Sequence, residues 1–258
     1  MRFPLVFAAV LVAGARPAAA QGPRFEVTIP ATLRPTPLTG RVYVFISTKK
    51  DEEPRLGDHG ESNCVPFYGV DVDSLQPGTA AVIDGTTLGY PVASLKDIPA
   101  GDYYVQALVS VYVDFHRADG HVLWMHDDQW EGQQFNISPG NLVSDVQKVR
   151  LDPQAGYTIR LALARELPRV VVPPDTKYVK RIKLQSKLLS AWWGRPIFLG
   201  ATVLLPRDYD SEPTKHYPTV YEQGHFSLNA PFGFTTDPST ETPSQRAARQ
   251  LRTMREPG

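Results

Sequence analysis

The stretch Asp97–Val113, DIPAGDYYVQALVSVYV, decides the fold class of this chain. After its Pro-Ala-Gly turn, every second residue from Val105 to Val113 is apolar, whereas the intervening positions mix Gln106 and Ser110 with larger apolar side chains. A period of two is typical of a β-strand, because successive side chains point to opposite faces of a sheet. We therefore predict a strand over residues 103–113, with one face in the core and the other partly covered.

Three more segments alternate in the same way, and turn residues separate them. Pro followed by Gly or Asn presets a turn and ends a strand, so the chain between residues 21 and 170 is predicted to be a mainly β domain, an antiparallel β-sandwich. The segment DIPAGDYYVQA also resembles strand-turn-strand segments of immunoglobulin-like or transthyretin-like accessory modules, which implies an immunoglobulin-like sandwich. The alternating segments are Phe25–Ile29, Val42–Ile46 and Tyr157–Leu163, and the turns include Gln76-Pro77-Gly78 and Ser138-Pro139-Gly140-Asn141.

A proline-flanked stretch, Pro168–Pro174, predicts a stiff linker, which we assign to residues 171–177. Beyond it, Ile182 and Leu184 alternate with charged neighbours, which predicts a strand with one solvated face. The short apolar runs Ile197–Leu205 and Tyr217–Tyr221 are bounded by Pro, Asp and Gly and are predicted to be buried strands. We therefore expect a second domain from residue 178 to residue 258.

Three motifs follow one another in this second region: LLPRDY at 204–209, HYPTVY at 216–221 and QGH at 223–225. Their order resembles the opening of the esterase branch of α/β-hydrolases, which includes esterase D and enterochelin esterase-like enzymes. The resemblance covers residues 178–234. It implies a serine esterase acting on a small carboxylic-ester substrate without a cofactor, with a β-sandwich ahead of the first strands of an α/β-hydrolase domain.

The resemblance places the loop Gln223–Phe226 beside an oxyanion hole, where backbone N–H groups stabilise the charge that develops on the carbonyl oxygen. Gly224, His225 and Phe226 are therefore the candidates for the oxyanion hole. The Gly-His order differs from the His-Gly order of many relatives, and a tight turn in which His225 only packs is the alternative. No serine of the chain lies in a G-x-S-x-G pattern. The catalytic Ser, His and acid are therefore unassigned, and the chain is predicted to be a catalytically incomplete N-terminal part of the enzyme.

The alternative function is a complete exported β-sandwich protein that binds a ligand or has a structural role and has no catalytic activity. Its ligand surface would include Trp124 and Trp130, whose indoles are suited to stacking on a sugar or an aromatic ester group. Equally, the two indoles would cover one end of the sandwich. Sequence alone leaves both roles open.

Three histidines, His116, His121 and His126, lie near acidic residues and raise the question of a metal site. Histidines five residues apart point to opposite faces of a strand, and on a helix they lie about 140° apart, so neither element brings them together. A loop is the one arrangement that would still bring them together; we predict a solvated or hydrogen-bonded loop there and no metal site.

Residues 1–20 have the pattern of a secretory signal peptide: Arg2, the apolar core Phe3–Ala13 and the small residues Ala18-Ala19-Ala20. The pattern predicts cleavage after Ala20 and a secreted or periplasmic protein. The apolar run is too short to span a membrane.

Composition limits the other classes of function. Hydrophobic residues make up 42% of the chain and charged residues 21%, as in soluble globular proteins. Lys and Arg number 27 and so do Asp and Glu, so the formal net charge is zero and gives no reason to expect nucleic acid as a partner. The single cysteine, Cys64, excludes an internal disulfide. Neither composition nor motifs predict an oligomeric state.

Overall fold

The computed structural model describes residues 22–57, 64–130, 134–224 and 226–236. The predicted signal peptide and residues 237–258 therefore lie outside the described residues, and so does His225. Within the described part, strands dominate, which confirms the predicted mainly β architecture.

Twelve strands, one α-helix and three short 3-10 helices make up the described chain. The strands are β1 Arg24–Thr28, β2 Leu38–Ser47, β3 Phe67–Leu75, β4 Ala80–Asp84, β5 Gly89–Tyr90, β6 Gly101–His116, β7 Val122–His126, β8 Leu142–Ser144, β9 Gln147–Leu151, β10 Thr158–Glu166, β11 Val179–Gln185 and β12 Phe198–Leu204. Helix α1 is Lys187–Trp193, and the 3-10 helices are Pro54–Leu56, Leu95–Asp97 and Pro231–Gly233. No regular element occupies residues 167–178, where the linker is predicted.

The first ten strands form one curled sheet with the order β4-β1-β10-β8-β6-β2-β3-β5, and β7 and β9 pair with β6 as well. Strands β1 and β10 are parallel, with Phe25 opposite Ile159, so the expectation of a purely antiparallel arrangement is wrong at this pair. These strands come from the two ends of the domain, so no tight hairpin forces them to run in opposite directions. The other pairs among the described strands are antiparallel.

Strand β6 crosses the middle of the sheet and is buried on both faces. Val105, Ala107 and Val109 lie in the main core, as the alternation predicts, with no exposed surface. Leu108 on the opposite face belongs to a second apolar cluster with Phe45. The face expected to be partly covered is therefore fully buried over this part of the strand.

Two buried side chains complete the hydrogen bonding of β6 where it lacks a neighbouring strand. Ser144 Oγ accepts a hydrogen bond from the Ala107 N–H at 2.9 Å, and Asn141 Oδ1 accepts one from the Val111 N–H at 2.8 Å. A buried backbone N–H without a partner is strongly unfavourable, which explains why polar residues lie in this core. Gly140, with φ 81°, makes the turn that positions Asn141.

A polar network holds the segment before β3 against the sheet. Glu53 accepts hydrogen bonds at 2.8 Å from Gln106 Nε2, Arg55 Nε and Arg165 Nη2. Partial burial opposes the charged carboxylate, but the hydrogen bonds from Gln106 and Arg55 and the charges of Arg55 and Arg165 outweigh it. The pKa of Glu53 is therefore below its ordinary value.

Strands β11 and β12 form a separate antiparallel pair, with Leu184 opposite Leu199 and Lys183 opposite Gly200. The predicted strand at Ile197–Leu205 is confirmed as Phe198–Leu204, but the prediction that it is buried is wrong, because no layer of the described chain covers one face of the pair. The predicted strand Tyr217–Tyr221 is absent: a strand requires a hydrogen-bonded neighbour, and none of the described strands lies beside it.

Helix α1 connects β11 to β12 and was not predicted from the sequence. Ser186 caps its start, because its Oγ accepts a hydrogen bond from the Leu189 N–H at 3.2 Å. Gly194, in the left-handed conformation with φ 64°, ends it. Within the described residues, no helix has the length and apolar character needed to cross a bilayer.

Candidate functional site

The structure brings together Trp130, after β7, and Phe226 of the predicted oxyanion loop. Their rings meet edge-on, with centroids 5.2 Å apart and an angle of 81° between the planes. Lys183 Nζ lies 5.1 Å from the centroid of Trp130 and 4.5 Å from that of Phe198. Each aromatic or cation–π pair of this kind stabilises the packing of the two segments by about 1 kcal/mol. We call Trp130, Lys183, Phe198 and Phe226 the aromatic contact cluster.

The loop after Gly224 is held against the β11–β12 pair by its main-chain carbonyls. Arg181 donates to the Leu228 carbonyl from Nε at 2.9 Å and from Nη2 at 2.8 Å. Thr202 Oγ1 donates to the Ser227 carbonyl at 2.9 Å. The Phe226 ring lies over Gly200, where an added Cβ would be 2.8 Å from the ring. A residue without a side chain at position 200 therefore makes room for the ring.

These contacts change the prediction for the two faces of β11 only in part, because Lys183 on the face expected to be solvated stays exposed. The face with Arg181 and Lys183, expected to be solvated, carries the loop and the indole of Trp130. The opposite face of the pair is apolar and open to solvent, although such faces are usually buried. It includes Ile182, Leu184 and Leu199, which are 38%, 61% and 54% exposed. We call these three residues the open apolar face.

The three oxyanion candidates are only partly described. Gly224 is exposed, and no described atom outside its chain neighbours lies within 4 Å of the position that its Cβ would occupy. Phe226 is half-buried in the aromatic contact cluster. His225 lies outside the described residues. Just before this loop, Val220 and Tyr221 are 84% and 91% exposed, so the segment leading to it projects into solvent.

The motif residues around residues 204–221 pack on one another. The rings of Tyr209 and Tyr217 lie 6.0 Å apart, and Lys215 Nζ lies 4.9 Å from the Tyr217 ring. Lys215 also donates to Asp208 Oδ2 at 2.6 Å, and this hydrogen bond lowers the pKa of the Asp208 carboxyl. The two motifs LLPRDY and HYPTVY thus form opposite sides of one turn.

A second contact joins the tip of β6 and β7 to the segment between β11 and β12. Arg195 Nη2 donates to Asp127 Oδ2 at 2.9 Å, and its guanidinium lies 4.7 Å from the centroid of Phe115. The Ala118 N–H donates to the Trp192 carbonyl at 2.7 Å. The sequence did not predict this contact, since no local pattern links residues so far apart. The local signal present was for α1 itself, which Ser186 begins and Gly194 ends.

The two tryptophans do not form one stacking surface. Trp130 is half-buried against Phe226, whereas Trp124 on β7 is 52% exposed and lines a different surface, an open groove. Across the sheet, Trp124 lies opposite Asp114 of β6. The predicted stacking residues are therefore placed in two environments.

The three histidines lie on a β-hairpin rather than in the loop we expected, because β6 continues to His116 and pairs with β7. Each ring has its own partner: His116 Nε2 is 2.8 Å from Asp114 Oδ2, His121 Nδ1 is 3.2 Å from Asp119 Oδ1, and His126 Nε2 is 3.2 Å from Ser138 Oγ. Among the described residues, no group of three His, Cys, Asp or Glu side chains is placed to hold a metal ion.

Comparison of the chain with family models, with curated proteins and with solved structures found no match. The resemblance to α/β-hydrolases of the esterase branch therefore rests on the chain's own residues.

Proposed function

We propose that the chain is the N-terminal part of an exported serine-esterase-like hydrolase that acts on carboxylic esters. Residues 1–20 direct export, residues 21–170 form an immunoglobulin-like accessory domain, and residues 178–258 contribute the first strands of an α/β-hydrolase domain. The catalytic Ser, His and acid belong to the part of the enzyme that follows these strands.

The open apolar face is the observation that carries the proposal. A two-stranded sheet with apolar side chains in water is marginally stable at best, and sheets of α/β proteins bury such faces under helices. Ile182, Leu184 and Leu199 form a ready-made surface for such a helix. The segment Tyr217–Tyr221, which is exposed from Pro218 onward, has the apolar composition of a third strand that pairs once a neighbour is present.

The loop after that segment supplies the chemistry in this proposal. In ester hydrolysis the attacked carbonyl oxygen becomes negatively charged, and preorganised N–H donors lower the barrier. The N–H groups of His225 and Phe226 are the proposed donors. Contacts of Phe226 with Trp130 and of Arg181 with the Leu228 carbonyl support the role, because they hold the following backbone rigidly.

The first test is to read the gene beyond codon 258 and to assay the complete product on p-nitrophenyl acetate. We expect a Ser in a Gly-flanked elbow with an Asp and a His after it, and hydrolysis that is lost when that Ser is replaced by Ala. A stop codon directly after codon 258, with no hydrolysis above the buffer rate, would overturn the proposal in favour of the exported binding protein.

A second test addresses the loop in the complete enzyme. His225→Pro removes the backbone N–H at this position, whereas the matched control His225→Ala retains it. Loss of one donor of an oxyanion hole lowers kcat by about 10²–10³-fold, so only the proline variant should show this loss. Equal kcat values for the two variants would remove His225 from the proposed oxyanion hole.

A further inference from the structure

The face of the sheet that carries Trp124 forms an open groove of about 540 Å³ across four adjacent strands. Strand β3 contributes Asp71 and Asp73, and β2 contributes Thr39 and Arg41. Tyr112 of β6 and Trp124 of β7 complete the lining. The volume lies in the range of small-molecule sites, which also combine aromatic surface with a few fixed polar groups.

The groove exists because β2, β3 and β6 continue past the core. On this face, Phe45 and Leu108 belong to a buried apolar cluster, but two positions further along each strand the residues become Tyr43 and Ser110, and then Arg41 and Tyr112. The sheet thus changes from a buried surface to a polar aromatic one without interruption. Gly40 lies so close to β6 that a Cβ there would be 2.2 Å from the Ser110 carbonyl oxygen.

The polar groups of the groove are held in place by one another. Arg41 Nη1 donates to Asp71 Oδ1 at 2.8 Å, Arg41 Nη2 donates to the Gly69 carbonyl at 3.2 Å, and the guanidinium lies 5.6 Å from the Tyr43 ring. Thr39 Oγ1 donates to Asp73 Oδ1 at 3.0 Å. Fixed donors and acceptors of this kind bind a ligand without losing much side-chain freedom on binding.

We propose that this groove binds a neutral polysaccharide, with a sugar ring stacked on the indole of Trp124. The indole is half-exposed and offers an apolar surface for the C–H face of a sugar. The two carboxylates accept hydrogen bonds from sugar hydroxyl groups, and Arg41 and Tyr112 donate hydrogen bonds to sugar hydroxyl oxygens. With one cation and two anions the lining has a net charge of −1, so it disfavours phosphate, sulfate or uronate ligands. An aromatic ester group lacks the hydroxyl groups that could add hydrogen bonds to these polar side chains.

This inference is independent of the proposed esterase activity, because the groove belongs entirely to residues 39–124 of the first domain. The test is affinity electrophoresis of the full chain in gels that contain xylan, galactomannan or mixed-linkage β-glucan. We expect retardation by at least one of these neutral polymers, and quenching or a shift of tryptophan fluorescence by its oligosaccharides. Trp124→Ala should weaken binding at least about tenfold. Stacking of one sugar ring on one aromatic side chain contributes on the order of 1.4 kcal/mol, which corresponds to a tenfold change in Kd.

Two matched variants distinguish binding in the groove from nonspecific binding elsewhere on the protein. Val122→Ala changes an exposed residue on the same strand and face, and Tyr221→Ala removes an exposed aromatic ring in the second region. Both should bind like the wild type, whereas Asp71→Asn should weaken binding, and circular dichroism should show that each variant is folded. Retention of wild-type affinity by Trp124→Ala overturns the proposal. So does the lack of retardation by every neutral polymer, or retardation only by polygalacturonate that salt abolishes.

Discussion

The indole of Trp130 meets the ring of Phe226 edge-on, with 5.2 Å between the centroids. This pair joins the end of the segment after β7 to the loop after Gly224, two parts of the chain that the linker separates in sequence. Because Lys183 lies over the same indole, the contact also fixes β11. The position of the candidate loop therefore depends on a residue from the part of the chain before the proline-rich segment.

A double-mutant cycle of Trp130→Ala and Phe226→Ala measures this contact. We expect a coupling of about 0.5–1.5 kcal/mol in the opening free energy of β11 and β12. Either substitution alone already removes the edge-on contact, so the second substitution has no further effect on it. The measurement is amide hydrogen exchange of residues 179–204. Trp124→Ala combined with Phe226→Ala is the control and should be additive, since Trp124 lies in the groove. Additivity of the Trp130 pair would contradict the role of the contact.

The ion pair between Arg195 and Asp127 predicts a dependence on salt. Its side chains are about one-third exposed, so the expected coupling between Arg195→Ala and Asp127→Ala is about 0.5–1 kcal/mol and should decrease toward 1 M salt. Hydrogen exchange of the amides of α1 and β12 reports it. Arg160→Ala breaks the pair with Glu26 within the first domain and should leave that exchange unchanged. A coupling that is the same at low and high salt would contradict the electrostatic account.

The Glu53 network predicts a loss of stability in acid. Because the folded-state pKa of Glu53 is lowered, its contribution is present above the unfolded pKa of about 4.3 and is lost as the pH falls through the folded value. We expect the free energy of unfolding to decrease below about pH 4.5, and Glu53→Gln to reduce this slope. At pH 7 the variant should also be less stable by about 1–3 kcal/mol, since Arg55, Gln106 and Arg165 then share one uncharged acceptor oxygen in place of two charged ones.

Urea unfolding followed by fluorescence between pH 3 and pH 7 measures both effects. The exposed Glu52, 3.8 Å from Lys49, provides the matched control Glu52→Gln, which should keep the slope of the wild type. Equal slopes for Glu53→Gln and the wild type would show that the network does not contribute to acid unfolding.

Tyr43 predicts a loss of stability in alkali. Burial, followed by the neighbouring Tyr112 phenol, raises its pKa to about 12, so the folded chain keeps a proton that the unfolded chain releases near pH 10. The free energy of unfolding should therefore decrease as the pH rises from about 10 toward 12. Tyr43→Phe should reduce this decrease, and the exposed Tyr221→Phe should not. Thermal unfolding between pH 8 and pH 11 tests the difference, and identical curves for both variants would contradict it.

Local periodicity of apolar residues was sufficient to predict which residues of the core strands are buried. Phe25, Val27 and Val42 are buried as their alternation predicts, because the sheet requires one apolar face and the pattern records it directly. Periodicity was not sufficient for Ile182 or Leu199, whose apolar character predicts burial only when another layer is present. Nor does spacing indicate that Trp124 and Trp130 face different surfaces, since that depends on where β7 ends. Those features are decided by contacts between distant parts of the chain.

The uninterrupted length of β6 has a mechanical consequence. One end, at Gly101, is paired with β9, the middle lies in both apolar clusters, and the tip pairs with β7 beside the contact of Ala118 with Trp192. Because β6 is held at both ends and in the middle, we expect it to move as one rigid unit. Tyr112 of the groove and the contact of Ala118 with Trp192 therefore lie toward the same end of one strand, so a displacement of that end moves both together.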